Sequence, residues 1–258
     1  MRAFAYEEPR TLAEAGALMA RPGRNQLLAG GTDLLVRLKR REWTVDTVIN
    51  LKRIAGLRGV EARGDHVFVG PLTTLDELAA SELVAKRWPI LVETVHEMGS
   101  PQVRAMSTAG GNLCNASPAA DLAPPLLCLD ATMKVWGLRG ERHVPLREFF
   151  LGPGKTALEP GEILTEIRIP PALAKGCFIK FCTRRAMDLA FVSVACAAVG
   201  KDVRLALGAV APTPIRVLPS VEEAMKRCAP IDDVRASAEY RREMVRVLVR
   251  RALARVAS

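Results

Sequence analysis

The chain has 258 residues, 49% of them apolar and 25% charged, and its formal net charge is +9. This composition is typical of a globular protein with a sizeable core, and no run approaches the roughly 20 apolar residues of a membrane span. The basic residues are scattered and aromatic residues make up only 5% of the chain, which argues against nucleic-acid binding. The first residues lack the apolar block of a signal peptide, so we expect a cytoplasmic protein.

The first 57 residues predict a small parallel α/β unit. Thr11 and Glu14 have the spacing of a capping box at the start of a helix. The run NQLL predicts a strand that ends at the pair Gly30-Gly31, and TDLLVRLKRR predicts a helix with Thr32 as its N-cap. The later run TVIN predicts a second strand. An order of strand, helix and strand is typical of parallel pairing.

Residues 58–170 predict a second, α+β lobe. HVFVG and GEILTEIRIP have strand patterns, and Thr74 and Glu77 form a second capping box. Pro89 opens a helix that we expect to end at Gly99. The segment STAGGNLCNASPAAD follows as a predicted long loop, and an apolar helix and a strand come after it.

Residues 171–258 predict a third unit. GCFIKFCTRR, AFVSVACAAVG and VRLALGAVAP have the length and apolar content of strands. The last segment, from PIDDVRAS to the end, predicts one amphipathic helix with Tyr240, Met244 and Leu248 on it. The six cysteines lack the spacing of a metal site, so we expect mostly buried thiols and no metal on this chain.

The pair Gly30-Gly31 lies where a strand gives way to a helix. The first amides of a helix lack backbone partners and carry partial positive charge, and glycine lets a phosphate approach them closely. Thr32 adds a hydroxyl. By itself the motif is more often a plain turn that holds no ligand.

A second glycine pair, Gly110-Gly111, lies among Asn, Ser and Asp side chains. It is compatible with a surface loop held by Asx turns. Two glycine corners, one in each lobe, nevertheless favour a dinucleotide that lies between the lobes. Asp121 would then accept a hydrogen bond from a sugar or ribityl hydroxyl.

Four segments of the chain carry a family resemblance: LLAGGTDLL, GSPQVRAMSTAGGNLCNASPAADLAPPLL, KFCTRRAMDLAFVSVA and GAVAPTPIR. In this order they resemble the FAD-binding medium subunit of molybdenum hydroxylases, the family of aerobic carbon monoxide dehydrogenase and xanthine dehydrogenase. The resemblance covers nearly the whole chain. It implies an α+β fold, with a two-lobed FAD-binding domain of the vanillyl-alcohol-oxidase (PCMH) type in residues 1–57 and 58–170. A C-terminal α+β domain with an antiparallel sheet and helices would follow in residues 171–258.

The resemblance also implies a set of FAD contacts. One stretch would wrap the pyrophosphate, the second glycine pair would hold its other side, Asp121 would bind a sugar hydroxyl, and two later residues would approach the flavin. The implied residues are Leu27, Leu28, Ala29, Gly30, Gly31, Thr32, Asp33, Leu34, Thr108, Gly110, Gly111, Asn112, Asp121, Leu164 and Lys180. Without the resemblance, a lysine in an apolar strand is more often a surface side chain whose stem lies along the strand.

The function that the resemblance implies is electron transfer. A large subunit would hold molybdopterin, a small one a [2Fe–2S] cluster, and the three chains would form a dimer of heterotrimers. A flavin carries the redox chemistry itself, so we expect no catalytic residue on this chain and assign none of His66, His96 and His143. The alternatives are a free-standing FAD-dependent oxidase or dehydrogenase, which needs an acid–base residue beside the flavin, and a non-catalytic scaffold with a basic docking surface.

Overall fold

The computed structural model describes residues 2–171, 173–184 and 187–257. Helices and sheets alternate through this part of the chain, which confirms the predicted α+β class. The strands form three main sheets, which follow one another along the sequence, and one small hairpin.

The first sheet is parallel and belongs to the N-terminal segment. Its elements are β1 (Ala5–Glu7), α1 (Leu12–Met19), β2 (Asn25–Leu28), α2 (Leu34–Lys39) and β3 (Thr47–Asn50). The strands lie in the order β1-β3-β2, and both pairs are parallel, as the sequence predicts. The sequence analysis missed β1, because three residues are too few to show an alternating pattern.

Two predicted helix starts in this segment need correction. Thr11 Oγ1 accepts a hydrogen bond from the N–H of Glu14, but the Glu14 carboxylate accepts from the N–H of Arg10, so only half of the capping box forms. Thr32 is not the N-cap of α2. The chain reverses at Gly31, whose φ is +80°, and the helix begins at Leu34 without a side-chain cap.

The second sheet has five antiparallel strands. They are β4 (Val60–Arg63), β5 (His66–Val69), β6 (Thr132–Gly137), β7 (Gly140–Pro145) and β10 (Ile163–Ile169). Between β7 and β10 lie the two short strands β8 (Phe150–Gly152) and β9 (Lys155–Thr156). The order in the sheet is β4-β5-β10-β6-β7, so the last strand along the chain is the central one. Strands β8 and β9 form the separate hairpin.

Seven short helices accompany this sheet. They are α3 (Leu75–Ala80), α4 (Glu82–Arg87), α5 (Pro89–His96), α6 (Pro101–Met106), α7 (Ala109–Cys114), α8 (Ala123–Cys128) and α9 (Leu146–Phe149). All except α6 contribute buried side chains to the core on one face of the sheet. The capping box of Thr74 and Glu77 at α3 is confirmed. The second glycine pair is not in a long loop, as predicted, but in the first turn of α7, where Thr108 is the N-cap.

The third sheet is antiparallel and lies between two layers of helices. Its elements are β11 (Ala174–Phe181), β12 (Val192–Val199), β13 (Asp202–Gly208), β14 (Ile215–Val217), α10 (Val221–Arg227) and α11 (Ala238–Ala257). The predicted last helix starts only at Ala238. Before it, Asp233 Oδ1 accepts from the N–H of Arg235 and Asp232 Oδ1 from the N–H of Ala238, which holds a turn.

One apolar core spans the second and third sheets. Phe178, Ala195 and Ala206 of the third sheet belong to the same buried cluster as Leu126 and Leu127 of α8. The opposite face of the third sheet packs against α10 and α11 in a separate cluster. In the part of the chain that the structure describes, no helix has the length and apolar content needed to cross a membrane.

Candidate functional site

The first glycine pair is held against the segment that leads into α7. A Cβ on Gly30 would overlap the carbonyl oxygen of Met106 and come within 2.9 Å of the Cα of Ser107. Gly31 has a left-handed φ, which glycine adopts without strain. Both glycines are therefore required by the backbone itself, whether or not a ligand is bound.

The turn after this pair leaves backbone donors available. No backbone carbonyl among the described residues accepts a hydrogen bond from the N–H groups of Gly31, Thr32 or Asp33. Consecutive N–H groups of this kind, just before a helix, form a binding place for an anionic oxygen. In the phosphate prediction for the first glycine pair, these amides are the groups that would bind.

The apolar side chains of residues 27–34 have a structural role. Leu28 and Leu34 are buried in one small core cluster, and Leu27 and Ala29 pack against another. Their side chains hold β2 and α2 in place. A ligand at this turn therefore meets backbone groups and not these side chains.

The second glycine segment has its amides already in use. The N–H of Gly110 donates to the carbonyl of Pro71, the N–H of Gly111 to Thr108 Oγ1, and the N–H of Asn112 to the carbonyl of Thr108. A Cβ on Gly110 would overlap Pro71. What this segment still offers is the hydroxyl proton of Thr108 and Asn112 Oδ1, which is buried and has no hydrogen-bond partner among the described residues.

The structure brings the two glycine segments together. Besides the contact between Gly30 and Met106, the Cβ position of Gly111 lies 3.8 Å from the Cβ of Ala29. Farther along, Arg37 Nη2 of α2 donates to Asn115 Oδ1, just after α7, at 3.0 Å. The two segments, separated by most of a lobe in sequence, thus form one continuous surface.

Asp121 and Lys180 form a buried ion pair. Lys180 Nζ lies 2.8 Å from Asp121 Oδ2 and also donates to the carbonyl of Glu97 at 3.0 Å. The side chains are only 3% (Lys180) and 9% (Asp121) exposed, so Lys180 is not a surface side chain. Burial raises the pKa of Asp121, and the neighbouring ammonium opposes this rise. Asp121 Oδ1 is buried and has no hydrogen-bond partner among the described residues.

Leu164, the remaining predicted contact, lies on β10 at a bulge. It is 4% exposed and belongs to the buried cluster that contains Ala109 and Leu113 of α7. Its place is behind the second glycine segment, where it offers only an apolar surface.

The sequence analysis missed Ser193. This residue is directly opposite Lys180 in the pairing of β11 with β12, it is 1% exposed, and its Oγ has no hydrogen-bond partner among the described residues. Gly208 on the next strand leaves the space that the hydroxyl needs, because a Cβ there would overlap it. A single hydroxyl within the apolar run FVSVACAAV was the available signal.

The available hydrogen-bond donors and acceptors fit a ligand that carries phosphates and sugar-like hydroxyls. Free amides follow the first glycine pair, and enclosed acceptors without partners lie on Asn112 and Asp121. Buried polar atoms without partners are rare in native proteins and are often completed by a ligand or water. No group of three or more His, Cys, Asp or Glu side chains in the described residues is placed to hold a metal, and the six thiols are unpaired.

Comparison with known proteins identifies the family of this chain. The family described as the FAD binding domain in molybdopterin dehydrogenase matches residues 2–172, and the CO dehydrogenase flavoprotein C-terminal domain matches residues 219–256. The chain is 35% identical to the carbon monoxide dehydrogenase medium chain of Afipia carboxidovorans, over 98% of this chain and 96% of that one. It is 32% identical to the putative xanthine dehydrogenase FAD-binding subunit of Escherichia coli, over 96% and 94%. Its fold is similar to a chain of reconstituted CO dehydrogenase from Oligotropha carboxidovorans, with a TM-score of 0.92, 33% identity and coverage of 99% and 98%.

Proposed function

Because this chain belongs to the family of FAD-binding domains of molybdopterin dehydrogenases, we propose that it is the electron-transfer subunit of a molybdenum hydroxylase. In this proposal electrons come from a [2Fe–2S] partner subunit, pass through FAD on this chain and leave to an external acceptor. The partners are a large molybdopterin subunit and a small iron–sulfur subunit, and the assembly is a dimer of heterotrimers in the cytoplasm.

The observation that carries the proposal is the contact between the two glycine segments. Gly30 lies against Met106 and Ser107, next to Thr108, which supports a site shared by the free amides of the first segment and the side chains of Thr108 and Asn112. A turn that binds no ligand would explain the two glycines of the first pair. It would not explain why buried acceptor atoms nearby lack hydrogen-bond partners. A cofactor with a pyrophosphate and a polyhydroxyl chain supplies that reason.

Each part of the chain has a role in holding the cofactor. The backbone of residues 27–34 binds the pyrophosphate through its N–H groups. Thr108 donates a hydrogen bond to the cofactor, and the Asn112 side chain also contacts it. Because the second glycine pair has no side chains, the cofactor can approach the backbone there closely. Asp121 accepts a hydrogen bond from a hydroxyl through Oδ1, the Lys180 ammonium opposes protonation of this carboxylate, and Leu164 excludes water from behind. FAD, when bound, supplies the redox chemistry.

The predicted division into residues 1–57, 58–170 and 171–258 belongs to this proposal. Each unit contains one of the three main sheets, since β3 ends at Asn50, β10 ends at Ile169 and β11 begins at Ala174. The first two units would hold the cofactor between them. Lys180 would extend the site to the third unit.

The proposal is tested first by the absorption spectrum of the purified chain after addition of FAD and removal of the excess. We expect flavin bands at about one FAD per chain, and we expect Gly111→Val to abolish them. A side chain there meets Thr108 Oγ1 at 2.8 Å and lies next to Ala29, inside the proposed site. Gly152→Val is the matched control, because a Cβ at Gly152 meets nothing within 4 Å.

Full FAD uptake by a folded Gly111→Val variant would contradict the role of the second glycine segment. To separate the electron-transfer subunit from a free-standing oxidase, the tagged chain is purified from its own cells. Two further chains that carry molybdenum and iron support the proposal. A chain that purifies alone and turns over a substrate with bound FAD favours the free-standing enzyme.

A further inference from the structure

A cavity of about 270 Å³ lies on the face of the second sheet that is turned away from the helices. It is lined by residues of four neighbouring strands and the segment after β10: His66, Thr132, His143, Arg168 and Pro170. Arg168 is on the central strand, and its neighbours Ile167 and Ile169 point into the core. The cavity is therefore on the opposite side of the sheet from α7 and the proposed cofactor site.

The polar groups of this cavity are mainly hydrogen-bond donors. Arg168 Nη2 lies 3.2 Å from His66 Nδ1. A guanidinium only donates, so Nδ1 accepts, and the ring proton of His66 is on Nε2, where it is available to a ligand. Thr132 is paired with Arg168 in the sheet, and it adds a hydroxyl.

Among the described residues, no carboxylate forms an ion pair with Arg168. Glu166 and Glu141, which lie on the same strands as the cavity residues, are in ion pairs with Arg63 and Lys134 at 2.8 and 2.9 Å. Arg168 Nε is enclosed, and no described residue accepts a hydrogen bond from it. A buried, charged donor without a hydrogen-bond acceptor raises the free energy of the folded protein, and a bound anion would supply the missing acceptor.

We propose that this cavity is a binding site for a phosphate-type oxyanion. The guanidinium of Arg168 binds two of its oxygens, and His66, His143 and Thr132 donate to the others. Arginine suits this task because its donors lie in one plane and match the oxygens of a phosphate. The volume also admits a small ester group, since a water molecule occupies only about 30 Å³.

The chain contains three histidines, and two of them line the cavity, which gives a direct test. Inorganic phosphate is titrated into the protein at constant pH and ionic strength, without FAD, while the ring signals of the three histidines are followed by NMR. We expect saturable shifts of His66 and His143. The exposed His96 on α5 lies outside the cavity, so its signal should stay in place.

Two variants complete the test. Arg168→Gln should weaken phosphate binding about tenfold or more, the value of a charge-assisted hydrogen bond. Arg139→Gln removes the same charge from a side chain that is 90% exposed in the turn between β6 and β7, and it should bind phosphate like the parent. If Arg168→Gln does not fold, His143→Gln replaces it, with the same expected loss.

The result that overturns the proposal is an absence of saturable shifts, equal shifts of all three histidines, or unchanged binding in the folded Arg168→Gln variant. A second arm uses ribose 5-phosphate in place of inorganic phosphate. Tighter binding of the ester identifies a phosphorylated metabolite as the ligand, and equal binding identifies free phosphate. The cofactor proposal is unaffected by either result, because the two sites lie on opposite faces of the sheet.

Discussion

Water is almost completely excluded from the ion pair of Lys180 and Asp121. Such a pair adds little net stability compared with apolar side chains of the same size, but removal of one partner leaves a charge buried without compensation. The pair therefore fixes the position of the Asp121 carboxylate. The carbonyl of Glu97 accepts a further hydrogen bond from the same ammonium and holds it in place.

Lys180→Met should lower the free energy of unfolding by about 3–5 kcal/mol, the cost of breaking a buried pair. Burial already raises the pKa of Asp121, and the loss of the opposing ammonium raises it further. A carboxyl group whose pKa is raised in the folded state loses stability as pH increases through that pKa. The loss of unfolding free energy in the Lys180→Met variant should therefore be larger at pH 8 than at pH 5, as measured by urea unfolding.

The matched control is Lys155→Met, a lysine on the exposed hairpin strand β9. We expect it to stay within about 0.5 kcal/mol of the parent at both pH values. Equal stability of the Lys180 and Lys155 variants would contradict a structural role for the buried pair.

This pair also marks a limit of prediction at the level of single residues. Asp121 and Lys180 were both identified as candidates, but they are 59 residues apart, and nothing in either local sequence indicates that they are partners. Ser193 was missed for a similar reason. The importance of its hydroxyl depends on its register opposite Lys180, which is set by strand pairing.

Among the helices and strands, α7 differs most from the structure that its local sequence predicts. Each glycine in a helix costs about 1 kcal/mol relative to alanine, so the segment AGGNLC predicts a loop. The helix forms because Thr108 caps it and because the absence of a side chain on Gly110 lets it pack against Pro71. Elements that follow their own local pattern, such as α3 with its capping box and the strands β11, β12 and β13, were predicted correctly, whereas the short strand β14 was missed.

Two N-cap variants separate the structural and binding roles of α7. Thr108→Ala and Ser220→Ala each remove a hydroxyl that accepts from the third residue of a short helix, so each should cost about 1 kcal/mol of stability. Only Thr108→Ala should also weaken FAD binding, because only Thr108 lies in the proposed site. Stability is measured by urea unfolding and affinity by flavin fluorescence. Equal affinity of the two variants for FAD would remove Thr108 from the site.

On the scale of the whole molecule, the third sheet is not an independent unit. One of its faces shares a core with α8, and Arg204 on β13 donates to the carbonyl of Cys128 at 3.0 Å and pairs with Asp130 at 2.8 Å. The order of the sheets along the chain was predictable from the order of strand and helix patterns. Their packing was not, because small residues such as Ala195 and Ala206 have no pattern that shows which face they cover.

We therefore expect the chain to unfold in a single transition. None of the three tryptophans, Trp43, Trp88 and Trp136, lies on the third sheet, and only Trp88 belongs to the core that this sheet shares, so their fluorescence reports mainly on the first two sheets. Far-ultraviolet circular dichroism reports on the entire chain. The two signals should change at the same urea concentration. An earlier change in circular dichroism than in fluorescence would show that the third sheet unfolds separately.

The ion pair between Asp121, in the segment between α7 and α8, and Lys180 on β11 has a consequence for binding. A ligand that occupies the free oxygen of Asp121 uses a carboxylate whose charge and orientation depend on Lys180, and Lys180 is in place only when β11 is docked. Docking and binding are then linked by one coupling free energy, which acts equally in both directions. If the cofactor binds Asp121 as proposed, it strengthens the attachment of the C-terminal sheet, and a loosened sheet releases the cofactor, although β11 need not touch it.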